Sequence, residues 1–359
     1  MSLPPARRRL HARILSACTF ACLLAAAPGV TALSATELAI VVNTDDPLSV
    51  ALAEEYRAAR AVPAANVLRI ALGPPRAVLP PDDFARAWGT VRERLPDSIQ
   101  AFALAWRLPY RVGCMSVTSA FAFGYGTRFC ASGCKPTAPN PYFDQPSRRP
   151  YTDFRVRPAM LLAAETLANG RRLIERGRRS DGLAPAGRAY LVETPDRARS
   201  VRAGAFQLVR ATFGARLAVE LVRGRGIRDR YDVMFYFTGA THVPHLDTLG
   251  FLPGAMADHL TSAGGQLDGK TQMSALRWLE AGATGSYGTV VEPCNFPQKF
   301  PNPALAMKYY LAGDTLVEAY WKSVVWPGQG VFIGEPLAAP FAPRRAPVHE
   351  PPTAGASRE

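Results

Sequence analysis

The run LAIVV at 38–42, followed at once by NTDDP (43–47) and LSVALAEEYRAAR (48–60), decides the fold class. An unbroken apolar run rich in β-branched residues reads as a strand buried on both faces. Asp46 then supplies an N-cap and Pro47 the first turn of a helix reaching about Arg60, with Leu48, Leu52 and Tyr56 on one face. Working outward, the alternation repeats. It predicts a strand over 67–72, a helix from 82 through Phe84, Trp88, Val91 and Leu95, and a strand over 99–106, completing βαβαβ. Residues 107–157 break the rhythm with prolines, glycines, aromatics and three cysteines, which predicts a Cys-rich surface insertion over one end of the sheet. Beyond it come a helix over 158–176, a strand over 189–193, a helix over 196–212, and strands over 217–222 and 233–237 (VMFYF). Helices are expected over 255–261, 272–281 and 305–321, the last broken near Gly313, and strands over 284–291 and 330–333. The whole describes an α/β domain over 33–340, a mainly parallel sheet with helices on both faces, and a disordered Pro, Ala and Arg-rich tail over 341–359.

Ahead of this domain, Arg7, Arg8, Arg9 and Arg13 precede an uncharged run, ILSACTFACLLAAA (14–27), closed by Pro28 and Gly29. A span needs about 20 apolar residues, so this run is short for an anchor, and the order of regions is that of a secretory signal. The small residues Ala32, Ser34 and Ala35 predict cleavage after Ala32 or Ser34, and hence a chain exported to the periplasm or beyond with no stable span after processing.

Losing four arginines and no acids takes the formal charge from +13 to +9. The remaining basic residues cluster in loops (Arg171, Arg172, Arg176, Arg178, Arg179; Arg223, Arg225, Arg228, Arg230) without interleaved aromatics that would stack bases, so no nucleic-acid partner is expected. Cys18 and Cys22 leave with the signal, and Cys114, Cys130, Cys134 and Cys294 remain. An even number in an oxidising compartment predicts disulfides, in any of three pairings, a local Cys130–Cys134 bridge among them.

The blocks GFLPGAMADHLTSAGG (250–265), RWLEAGATGSYGTVVEPCNFPQKFPNP (277–303) and GDTLVEAYWKSVVWPGQGVFIGEPLAAPF (313–341) resemble a family of exported bacterial proteins of unassigned activity. That family occurs in species carrying exosortase, the membrane enzyme that sorts proteins to the envelope. The resemblance implies a role in envelope assembly or sorting. More distantly, the order of strands, the apolar strand ending in a Gly and His-containing loop, the run GATGSYGT (282–289) and the closing VFIGEP (331–336) are similar to gingipain-type cysteine peptidases, which implies a caspase-like fold. Those enzymes carry His-Gly after one strand and a nucleophilic Cys after the next. Here Thr238-Gly239-Ala240-Thr241-His242 displaces the histidine, and no cysteine follows the run 249–254.

Parallel sheets bind ligands at the carboxyl ends of their strands, which makes Asp45, Asp46, Arg107, His242, His245, Glu292 and Cys294 the candidate site. His242 with a Cys294 thiolate would form an acyl-transfer pair, and the alternative is that Cys294 is oxidised. His242, Glu292 and Cys294 are expected on one edge. His242, His245 and Asp247 share a loop, yet Pro244 forbids a regular helical pair, and no metal is expected. Asp258 and His259 are read as capping or packing a helix. Gly264-Gly265 and the glycines at 282 and 285 lack phosphate-loop spacing, so no nucleotide cofactor is expected. Two functions follow: a binding protein for an envelope or exported peptide or glycan, or a cysteine-dependent hydrolase or acyl transferase.

Overall fold

The computed structural model describes Met1, residues 32–131 and residues 133–343. The expected export signal and nearly all of the expected tail lie outside the described residues. The described residues from Ala32 to Pro343 form one compact unit.

β1 (Leu38–Asn43) sends Leu38, Ile40 and Val42 into one core and Ala39 and Val41 into the other, so that both faces of the strand are buried and no position is polar until Asn43. α1 (Pro47–Arg60) follows, its first turn held by the Asp46 carboxylate, which accepts the Leu48 N–H at 3.0 Å. The chain continues through β2 (Val67–Ile70), β3 (Val78–Leu79), α2 (Pro81–Arg94), β4 (Ala101–Leu104), β5 (Arg111–Val112), β6 (Met115–Ser116), α3 (Val117–Phe123), α4 (Pro150–Phe154), β7 (Ala159–Leu161), α5 (Leu167–Ser180) and β8 (Arg188–Glu193). Then come α6 (Phe206–Phe213), β9 (Ala218–Arg223), β10 (Arg230–Gly239), β11 (Leu249–Leu260), α7 (Leu276–Ala281), β12 (Gly285–Thr289), α8 (Pro303–Leu311), α9 (Leu316–Lys322) and β13 (Gly330–Gly334).

Ten strands form one sheet in the order β2-β1-β4-β7-β13-β12-β11-β10-β8-β9, and β3, β5 and β6 form a small second one. Pairing is parallel through β2, β1, β4 and β7 and again through β12, β11, β10, β8 and β9, while β13 runs antiparallel to β12. α1, α6, α8 and α9 pack on one face, and α2, α3 and α7 on the other. Carboxyl ends from both ends of the sheet share an edge: Arg107, beyond β4, donates to the Leu267 carbonyl beyond β11 at 3.3 Å. At the opposite edge Arg176, late in α5, donates to the Leu279 and Ala283 carbonyls ahead of β12.

Four expectations are corrected. The segment 255–261 is no helix: through Leu260 it is the end of strand β11, because β10 and β12 flank it and pair with its backbone. The helix expected over 158–176 begins only at Leu167, capped by Thr166, and the apolar residues ahead of it form β7 in the middle of the sheet. A short apolar run buried on all sides carries no period that separates strand from helix. The segment 107–157 is not a surface cover: Val117–Ala122 of α3 is buried, Phe121 packs edge-on against Phe84, Trp88 and Phe102, and Asn140 donates to the Trp321 and Val324 carbonyls. At the other end Phe341, assigned above to the tail, stacks on Phe235 and meets Tyr310 edge-on.

Two disulfides form, Cys114–Cys130 and Cys134–Cys294, with Cα separations of 5.4 and 5.5 Å. The local Cys130–Cys134 bridge does not form, and each of the two is joined to a different part of the chain. The second bridge closes a separation of 160 residues and the first one of 16. Chain entropy then assigns about 5 kcal/mol to the long closure and about 3 to the short one. Cys134→Ser/Cys294→Ser is therefore expected to lower the unfolding free energy in guanidinium melts by more than Cys114→Ser/Cys130→Ser does. Equal midpoints for both pairs and the oxidised wild type would show that neither bridge stabilises the fold.

Candidate functional site at the carboxyl edge

The loops leaving β1, β4, β10 and β12 carry the residues singled out in the sequence, and they use them in different ways. Asp46 caps α1, and the Asp45 carboxylate accepts the Gly73 N–H at 2.7 Å, so both acids hold backbone turns. Arg107 is half-buried and spends one nitrogen on Leu267. Glu292 and Cys294 come together, the Glu292 carboxylate accepting the Cys294 N–H at 2.7 Å. The Cys294 sulfur is bonded to Cys134 and is no thiol. His245 is exposed, holds a left-handed backbone at φ 62°, and accepts from Arg228 at 3.0 Å.

His242 leaves β10 on the same edge as Glu292 and Cys294 leave β12, since β10, β11 and β12 are mutually parallel. Its immediate surroundings are another matter. It lines an open pocket of about 460 Å³ with Thr194, Pro195 and Asp196 from beyond β8, Arg225 from beyond β9, and Ala240, Thr241, Val243 and Pro244 from its own loop. Asp196 is paired with Arg199 at 2.8 Å, so Arg225 sets the sign of the pocket.

Beneath the edge lies a buried polar layer that the sequence reading did not find. In β11 adjacent side chains point to opposite faces. Asp258, fully buried on one face, meets Arg202 at 2.6 Å, and Arg202 also donates to the carbonyls of Thr238 and Pro301. Burial pushes the Asp258 carboxyl up and the guanidinium pulls it back down. Both Asp258 oxygens and Arg202 Nε are buried without a hydrogen-bond partner, so the contact between the two side chains is an ion pair. Arg202 also lines a cavity of about 340 Å³ with Phe143, Val201, Phe300 and Val325. Lys299, shielded from solvent and without a hydrogen-bond partner, stands 5.3 Å from the Phe296 ring, and burial pushes its ammonium down to about 8.

On the other face of β11, His259 is fully buried. Nε2–H donates to the Met273 carbonyl at 2.9 Å, and Nδ1 accepts from the Trp278 indole at 2.9 Å. That arrangement requires the neutral ring. Burial pushes its pKa down to about 4, and the charge of nearby Arg202 and His242 acts in the same direction. Among the described residues no group of three or more His, Cys, Asp or Glu is placed to hold a metal ion, and no helix is long and apolar enough to cross a membrane.

No family profile, curated protein or solved structure matches this chain.

The His259 geometry sets a pH dependence. Its pKa is depressed in the fold from 6.5 to about 4, so the unfolded chain takes up a proton that the folded chain refuses. Stability from this residue is whole above about pH 6.5 and is lost as pH falls towards 4, by about 3 kcal/mol in all. His259→Gln, whose amide both donates and accepts, is expected to flatten that part of the profile in denaturant melts between pH 4 and 7. An unchanged profile would mean that other groups carry the acid sensitivity.

Proposed function

We propose that this chain is an exported binding protein of caspase-like, gingipain-like architecture that recognises an acidic peptide segment of an envelope or exported protein, in the setting of exosortase-linked sorting. The observation that carries this reading is the state of the cysteines. All four described cysteines are in disulfides, so the carboxyl edge holds no thiol for an imidazole to activate. In the peptidases that the chain resembles, the nucleophile follows the strand after the histidine. The strand in question, β11, extends to Leu260 and is followed by Thr261, Ser262 and Ala263, with no cysteine.

What remains at the edge suits binding. The pocket around His242 mixes hydroxyls (Thr194, Thr241), apolar walls (Pro195, Val243, Pro244) and the positive charge of Arg225. Such a mixture takes an extended peptide through its backbone and favours an acidic side chain, with an attraction that salt screens over about 8 to 10 Å. The Cys134–Cys294 bridge holds the neighbouring loop without chemistry of its own.

Fluorescence anisotropy with labelled acidic and basic decapeptides tests the reading. The acidic peptide is expected to bind more tightly, to weaken with salt, and to lose at least about tenfold in affinity, near 1.4 kcal/mol, in Arg225→Glu/His242→Ala. Cys134→Ser/Cys294→Ser should bind as the wild type does. Equal binding of the basic peptide sinks the charge argument. Peptide cleavage that appears on reduction and vanishes in Cys294→Ser would establish the hydrolase reading instead.

A further inference from the structure

Leu33 stands 285 positions before Glu318, yet its backbone nitrogen donates to Glu318 Oε2 at 3.2 Å inside the core. Leu33 is 3% exposed and Glu318 1%. The same oxygen accepts Thr315 N at 2.9 Å and Thr315 Oγ1 at 2.6 Å, which forms the capping box of α9. The other oxygen, Oε1, is buried and has no hydrogen-bond partner. A buried carboxylate with one orphaned oxygen costs free energy unless a further donor or a cation reaches it.

The neighbouring charges do not supply that cation. Lys322 pairs with Asp314, and Arg148 pairs with the other Asp314 oxygen at 2.7 Å. Tyr142 and Tyr309 lie beneath the Lys322 ammonium, at 5.1 and 4.6 Å from their ring centres. Burial, followed by the charge of Asp314, pushes the Glu318 carboxyl well above its usual range, while Lys322 pulls it part of the way back.

Leu33 is also one residue beyond Ala32, a small residue at which the export signal is expected to end. We propose that signal removal makes Leu33 the first residue of the mature chain, and that its new α-ammonium docks on Glu318 as a buried ion pair. This rests on the export reading above. Water, with a membrane-bound signal peptidase as catalyst, adds to the Ala32 carbonyl carbon and the C–N bond breaks. The oxygen stays with Ala32 as a carboxylate, and the released Leu33 nitrogen takes the protons. An amide offers one N–H, whereas an ammonium offers three, enough to keep Oε2 and also serve the orphaned Oε1. Cleavage must precede folding, because Ala32 and Leu33 are 9% and 3% exposed in the folded chain. The fold is thereby completed by the product of its own export.

The test begins with N-terminal sequencing of protein exported from the full-length gene, for which Leu33 is the expected first residue. A chain beginning at Leu33 is then compared with one that keeps Ala32 behind an added glycine, each with and without Glu318→Gln. The Leu33 chain is expected to have a folding constant about 10- to 100-fold higher than the extended one. Glu318→Gln should remove that difference, and the advantage should fade as pH rises through the pKa of the amine, which Glu318 raises. A mature start at Ala35, or equal stability of the two chains with the same response to Glu318→Gln, overturns the inference while leaving export intact. A chain that stays in the cytoplasm and still carries Arg7 overturns both.

Discussion

One guanidinium ties the carboxyl edge together. Arg202, in the loop after β8, reaches Asp258 in β11, the Thr238 carbonyl at the end of β10 and the Pro301 carbonyl beyond β12. Four segments distant in sequence thus meet on one buried cation. Its side chain is 3% exposed and that of Asp258 is wholly buried, so neither charge is solvated by water. Replacing the pair by apolar groups need not destabilise a protein, whereas removing one partner leaves an uncompensated buried charge and typically costs about 3 to 5 kcal/mol. The pair therefore acts as a constraint on geometry: any sequence keeping Asp258 must keep the loop after β8 where Arg202 can reach it.

From that constraint the arrangement of the edge follows. With the loop after β8 pinned at Arg202, its earlier part, Thr194 to Asp196, forms one wall of the His242 pocket, and its later part, Val201 to Ala205, one wall of the cavity beside Phe300. The loop separates two openings of different lining: the first mixes hydroxyl, charged and apolar groups, the second is lined mainly by aromatic and aliphatic side chains. His259 on the opposite face of β11 adds a second lock through Met273 and Trp278, holding the segment after that strand. Adjacent residues of one strand thus fix the two faces of the edge independently, as the period of two requires.

The sheet was legible wherever an apolar run was long or framed by turn chemistry. LAIVV before Asp46 and Pro47 gave β1 and α1, and VMFYF gave the core of β10. Legibility failed for AMLLAA (159–164) and GAMADHL (254–260), where alanine, leucine and methionine favour helix locally and only the flanking strands decide for sheet. That second failure concealed the site. Read on a helix, Asp258 and His259 are neighbours of no consequence; on a strand buried from both sides, two ionisable residues in succession each require a partner, which would have directed attention to Arg202 and Trp278. The pairing of the cysteines was beyond sequence, because the partner of Cys134 lies 160 residues away.

The devices that hold the fold together share a dependence on compartment. A reducing cytosol leaves Cys134 and Cys294 as thiols, and the loop carrying Glu292 then lacks its covalent tie to the insertion. With the signal still attached, the nitrogen at Leu33 is an amide and Glu318 Oε1 stays without a donor. Each deficit concerns a buried or loop-closing group, and under the export proposed above each would be removed by a reaction belonging to it: oxidation outside the cytoplasm for the first, hydrolysis at the membrane for the second. Their effects are expected to add, because the bridge and the Leu33–Glu318 contact share no residue. On the proposal of export and cleavage made above, a precursor held back from the membrane would be less stable than the mature chain for two independent physical reasons. Under that proposal an export machine that moves unfolded chains would be served by the difference, since the precursor would resist threading least while uncut ahead of Leu33 and with its cysteines reduced.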